Sequence, residues 1–233
     1  MAQYTKLSLR AEDMLIQQIC GECEAALKPH FASLVRRVKS CHPHYRSRFD
    51  HAPFSASTDT EGATDDLTVP PTLLPSIALL SSHLTFLRTS LPSSTVTHLY
   101  RRIVSRIAEH ILQREVLFRP GLNRVSGGRH VFTRQQARDV HAECELWAET
   151  CQVALNTSRA RAERPWSRLL VAGRLMGVEL ERHKRLCVVL LGDRRGEGKD
   201  GDEWENAVDE ITGLGCGGLG RDEVKAVLRL RND

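Results

Sequence analysis

The chain predicts an all-α fold, an antiparallel helical bundle, and three observations carry that prediction. Apolar residues recur at alternating three- and four-residue steps through most of the length. Leu, Ala, Arg and Glu are plentiful, whereas aromatics make up 5% of the 233 residues, a balance that favours helices. One apolar run, Arg185 to Gly192, has strand-like composition, but no second run exists to pair with it, so it reads as the end of a buried helix. With 41% hydrophobic and 27% charged residues the chain fits a globular domain, long enough for one sizeable core or two small helical units.

Taken in order, the segment from Ser8 to Lys39 places Leu15, Ile19, Ala26, Leu34 and Val38 on one stripe, predicting an amphipathic helix interrupted or bent near Pro29. Cys41 to Pro71 has no period and collects Pro, Ser, Thr, Asp and Gly, so it reads as a long exposed connection. The clearest helix carries Leu73, Ile77, Leu80, Leu84, Leu87 and Leu91 on one face. Pro92 ends it, and the hydroxyls that follow offer caps for a helix from Thr95 to Phe118, with Leu99, Ile103, Ile107 and Ile111 aligned. Connections this short make antiparallel neighbours.

Thr133 can cap the next helix, because Gln136 stands at the capping-box position, and Val140, Cys144, Trp147, Cys151 and Leu155 form its stripe. Pro165 suits a first helical turn, and from Trp166 onward Leu169, Leu170, Leu175, Met176, Val178 and Leu180 give a broad apolar surface. Residues 203 to 213 predict a short helix, GLGCGGLG a turn, and RDEVKAVLRLR a final amphipathic helix. The organisation expected is an N-terminal helix over 1–40, a connecting loop over 41–71 and a helical bundle over 72–233.

No apolar run approaches the roughly 20 residues that span a bilayer, and acids occupy the N-terminus where a signal peptide is apolar, so a cytoplasmic location is expected. Seven cysteines without regular spacing point to reduced thiols rather than a disulfide framework. The net charge of +4 comes from 33 basic and 29 acidic residues spread along the chain, which is weak support for a nucleic-acid partner.

Several motifs carry possible chemistry, and each has a plainer reading beside it. Gly198 and Lys199 imitate a phosphate-binding loop, but Asp193 stands where the first glycine belongs and Asp200 where a magnesium-holding hydroxyl belongs. The glycines of GLGCGGLG imitate a dinucleotide fingerprint without a βαβ unit around them, so helix termination is the better account. Cys20 and Cys23 with Cys41, His42 and His44 write out a four-ligand zinc site on paper, against which both CxxC residues lie in a helical pattern. No nucleophile, base and orienting group assemble from the ten scattered histidines, so neither an enzyme nor a cofactor is expected. Arg101, Arg102 and Arg106 lie on the polar side of their helix, most simply as a solvated face and alternatively as an interaction face toward acidic protein, lipid headgroups or nucleic acid.

The leucine-striped helix, VTHLYRRIVSRIAEHILQREVL, the loop GGRHVF, a helix, PWSRLLVAGRLMGV and the closing GLGRDEVKAVLRLRND together resemble the C-terminal region of the RINT/TIP family. These are vesicle-tethering subunits of the Dsl (NRZ) complex, related in architecture to exocyst subunits. Gly127, Gly128 and Phe132 match the family's loop, whereas Arg129, Val131 and Gln135 replace its small residue, Gln and Asp. The resemblance runs from residue 8 to residue 231. It implies stacked helical bundles and a role in capturing Golgi-derived vesicles at the endoplasmic reticulum. Other tether subunits and ER SNARE proteins are the partners it implies, with peripheral membrane association through them. Family members are several times longer, so this chain is expected to be a C-terminal fragment or a truncated gene product. In this reading the loop is structural: Gly127 and Gly128 let the chain reverse between packed helices, Phe132 plugs the junction and Thr133 caps the next helix.

The runner-up is a basic helical nucleic-acid-binding domain built on the same three arginines, disfavoured because no aromatics interleave to stack bases.

Overall fold

A computed structural model describes residues 2–40, 70–117, 132–191 and 203–231. Helix α1 runs Ala2–Ser40, α2 Leu74–Ser90 and α3 Ser93–Ile111, and α3 continues as a π-turn over Leu112–Leu117. Then come α4 (Arg134–Leu155), the short α5 (Arg159–Glu163), a 3-10 turn over Arg164–Trp166, α6 (Ser167–Gly177) and α7 (Leu180–Leu191). Two further helices follow, α8 (Glu203–Thr212) and α9 (Arg221–Leu228). The described residues form an all-α bundle; their β-structure is limited to an isolated bridge between Phe132 and Arg231.

Side-chain pairs give the helix directions. Glu12 meets His98 and Arg102, Cys20 meets the Ile103 carbonyl and Glu24 meets His110, so α1 and α3 run the same way. Helix α2 runs against them, because Glu22 meets His83 while His30, further along α1, meets Thr72 just ahead of α2. Gly173 of α6 lies against Cys144 of α4, and Gly177 against His141, which makes that pair antiparallel. Tyr100 bonds to Ala162 and Glu109 to Arg168, so α3 and the chain leading through α6 run in parallel. The order α1, α2, α3, α4, α6 is thus up, down, up, down, up, with α8 and α9 packed on α6 and α7 packed on both.

One core threads these helices. From α1 it takes Ile16, Ile19, Cys20, Cys23 and Leu27; from α2, Leu80, Leu84 and Leu87; from α3, Leu99, Ile103 and Ile107. Leu169, Leu170, Leu175 and Met176 bring α6 into the same cluster, and Trp147 stacks on Trp166 with ring centroids 5.6 Å apart. Burial of this many aliphatic side chains is what offsets the conformational entropy of ordering the helices.

Several expectations change. Pro29 does not interrupt α1, which is continuous through it. Pro29 and Ala25 both lie on the exposed side, where the carbonyl that loses its N–H partner can be hydrated. The buried stripe of α1 is also shifted: Leu15 and Ala26 are half-buried, and the cysteines fill core positions instead. Helix α3 begins at Ser93 with Pro92 as its N-cap and no side-chain cap. Between α4 and the proline an extra helix, α5, intervenes. The surface read as one segment from Trp166 onward is two helices. Arg231 donates to the carbonyls of Met176 and Val178, and α6 stops there before α7 begins. Of residues 185–191 in α7 only part is core: Leu186 and Leu190 are buried, whereas Val188 is 70% exposed.

Candidate functional site

Phe132 and Thr133 stand at the start of α4. Phe132 is buried and its N–H donates to the Leu230 carbonyl at 2.5 Å, tying the start of α4 to the end of α9. Thr133 Oγ1 accepts from the Gln136 N–H at 3.3 Å, and the Gln136 side chain accepts from the Thr133 N–H at 3.0 Å, which is the capping box. Gly127 and Gly128 lie outside the described residues, as do Cys41, His42, His44, Gly198 and Lys199.

Cys20 and Cys23 are fully buried in α1, and burial pushes their thiols up to about 11 and about 12 respectively. A thiol held protonated in an apolar core is a poor ligand and a poor nucleophile. Among the described residues no group of His, Cys, Asp and Glu stands where it could hold a metal ion. No helix among them is long and apolar enough to cross a membrane.

The three arginines singled out on α3 do not form one face. Arg101 and Arg106 are five positions apart, about 140° round the helix at 3.6 residues per turn. Arg102 turns toward α1 and pairs with Asp13 at 2.5 Å. Arg101 points the other way, into a cleft of about 1120 Å³ between the α2–α3 turn and α5.

That cleft is the candidate site. Its cations are Arg88 from the last turn of α2, Arg101 from α3, Arg161 from α5 and Arg164 from the 3-10 turn. Ser93, Ser94, Thr97 and Thr157 add hydroxyls, and Leu91, Val96 and Leu155 form an apolar floor. Among the described residues no carboxylate lines it. Its arginines make no ion pair with another described residue, whereas Arg102, Arg159, Arg168 and Arg174 are all committed to carboxylates elsewhere.

Local sequence and long-range bonding both build this arrangement. Helix α4 ends at Asn156, which adopts the left-handed conformation (φ 48°) that short polar side chains tolerate, and the chain turns into α5. Tyr100, buried in α3, donates its hydroxyl to the Ala162 carbonyl at 2.5 Å and holds α5 against α3. Burial raises the Tyr100 phenol far above its ordinary value, so it stays a donor. On the far side of α5, Arg159 and Arg174 share Glu163 and Glu145: Arg159 meets Glu163 at 2.6 Å and Glu145 at 3.0 Å, and Arg174 meets them at 3.3 and 2.7 Å. Arg174 also donates to the Thr212 carbonyl at 2.6 Å, bringing in the end of α8. Glu145 and Glu163 are therefore committed on that side, and Arg161 and Arg164 line the cleft.

The same network makes stability depend on pH. The His141 ring beside Glu145, and then the Arg174 guanidinium, hold the Glu145 carboxyl down at about 2, from an ordinary 4.5. A carboxyl that binds its proton more weakly when folded stabilises the fold above the ordinary range and loses that contribution as pH falls toward its folded value. Wild-type protein should therefore exceed Glu145→Gln in stability by about 1 kcal/mol at neutral pH, after allowance for solvent screening. The gap should close between pH 4.5 and about 2. Urea unfolding at a series of pH values checks this, and a gap independent of pH would mean that Glu145 is not held as described.

Comparison with protein-family models, with curated proteins and with solved structures gives no match to this chain.

Proposed function

We propose that the chain is a non-enzymatic protein-interaction module of a vesicle-tethering subunit acting in Golgi-to-ER retrograde transport. The supporting observation is that the segments carrying the RINT/TIP resemblance are packing elements of one bundle. The leucine stripe lies on α2, LYRRIVSR on α3 and the capped helix at α4; PWSRLLVAGRLMG runs from the 3-10 turn through α6, and GLGRDEVKAVL forms α9 with the turn before it. A bundle of long amphipathic helices offers extended, rigid surfaces to other helical proteins, which suits a tether subunit that holds its neighbours and ER SNARE proteins. Peripheral association with the endoplasmic reticulum follows in this reading from those partners.

The test is affinity purification of the tagged chain from cytosol and detergent-solubilised membranes, with bound proteins identified by mass spectrometry. Recovery of tether subunits or ER SNAREs is the expected result. Recovery of nothing, or of nucleic-acid-associated proteins alone, would remove the proposal. The nucleic-acid alternative gains the uncommitted arginines of the cleft, but Tyr100, the aromatic in its lining, is 3% exposed and offers no face for base stacking.

A further inference from the structure

We propose that the cleft between α3 and α5 is a docking site for an acidic protein segment, a short stretch of partner chain whose carboxylates flank an apolar side chain. This goes beyond the tethering reading and does not depend on it. Four guanidinium groups, from α2, α3, α5 and the 3-10 turn, line one opening, and among the described residues no carboxylate lines it with them. Elsewhere in the bundle Arg102, Arg159, Arg168 and Arg174 pair with carboxylates. Like charges held around a concave surface focus a positive potential into it, and that potential is relieved by an anionic occupant.

The shape of the cleft selects among anions. At about 1120 Å³ it exceeds the roughly 300–1,000 Å³ usual for small-molecule pockets. The floor of Leu91, Val96 and Leu155 asks for an apolar contact between the charges, which a peptide side chain provides and a nucleic-acid backbone does not. Guanidinium groups engage carboxylates with two parallel hydrogen bonds, and the aliphatic stems of the arginines extend the apolar floor.

The test uses the full purified chain and fluorescence anisotropy with a labelled twelve-residue peptide bearing four glutamates around a central leucine. Its counterpart carries glutamines in their place. Saturable binding of the glutamate peptide and not the glutamine peptide is expected, weakening steeply as ionic strength rises. Joint Arg101→Glu and Arg164→Glu substitution should weaken binding at least about tenfold while the melting curve stays unchanged. Arg182→Glu, on α7 and outside the cleft, should bind as wild type. Should the double variant prove unfolded, Arg161→Gln alone carries the same expectation as a several-fold loss. Failure of the glutamate peptide to bind would overturn the proposal, as would an equal loss in Arg182→Glu. Preferential binding of phosphatidylserine vesicles or single-stranded DNA, with no competition from the peptide, would also overturn it. Because only pure protein and peptide are involved, this outcome stands apart from whether tether subunits are recovered from cells.

Discussion

Leu84→Asp should abolish cooperative folding. Leu84 is fully buried on α2, the helix that packs against both α1 and α4. Loss of a buried leucine costs about 2–5 kcal/mol, and an unpaired carboxylate in an apolar core adds several more. Domains of this kind have about 5–15 kcal/mol in total, so the sum reaches or exceeds what is available. The measurement is thermal unfolding followed by circular dichroism, with Leu84→Ala as a graded companion expected to lose about 2–5 kcal/mol yet remain folded. A Leu84→Asp protein that melts like wild type would show that the α2 stripe is not the core.

Trp166→Ala is the second large loss, about 3–5 kcal/mol. Trp166 is fully buried in the 3-10 turn that joins α5 to α6, and its ring stacks on Trp147 of α4. Truncation opens a cavity at the point where α3, α4 and α6 meet and also removes an aromatic pair worth about 0.5–1.5 kcal/mol beyond its area. Chemical denaturation monitored by circular dichroism reads the loss directly. Trp166→Phe should recover part of it by refilling volume, and equal stability of the alanine and phenylalanine variants would refute the stacking account. Because the turn also positions Arg161 and Arg164, the alanine variant should bind the acidic peptide more weakly than Trp166→Phe does.

What was legible in the sequence and what was not divides by the distance over which the physics acts. The capping box at Thr133 was legible because both of its hydrogen bonds close within three residues. The stripe of α2 was legible because a helix brings residues three and four apart onto one face wherever the helix sits. Continuity through Pro29 was not, since it depends on the exposed placement of that turn against the bundle. Helix α5 is not legible for a similar reason: five residues are too few to hold a helix alone, and Tyr100, 62 residues away in sequence from Ala162, anchors it.

The cleft shows the limit most clearly. In the sequence Arg101 groups with Arg102 and Arg106 on the polar side of one helix, whereas Asp13 of α1 takes Arg102 out of that set. Arg88, Arg161 and Arg164 had no local signal that would have linked them to Arg101. The sequence by itself determined the all-α class, the place of most helices and their inward faces, because hydrophobic periodicity and caps are properties of neighbouring residues. Only the tertiary structure decided which arginines are neutralised and which remain open around one concave surface, because ion pairing acts through space between chain segments that the sequence does not place together.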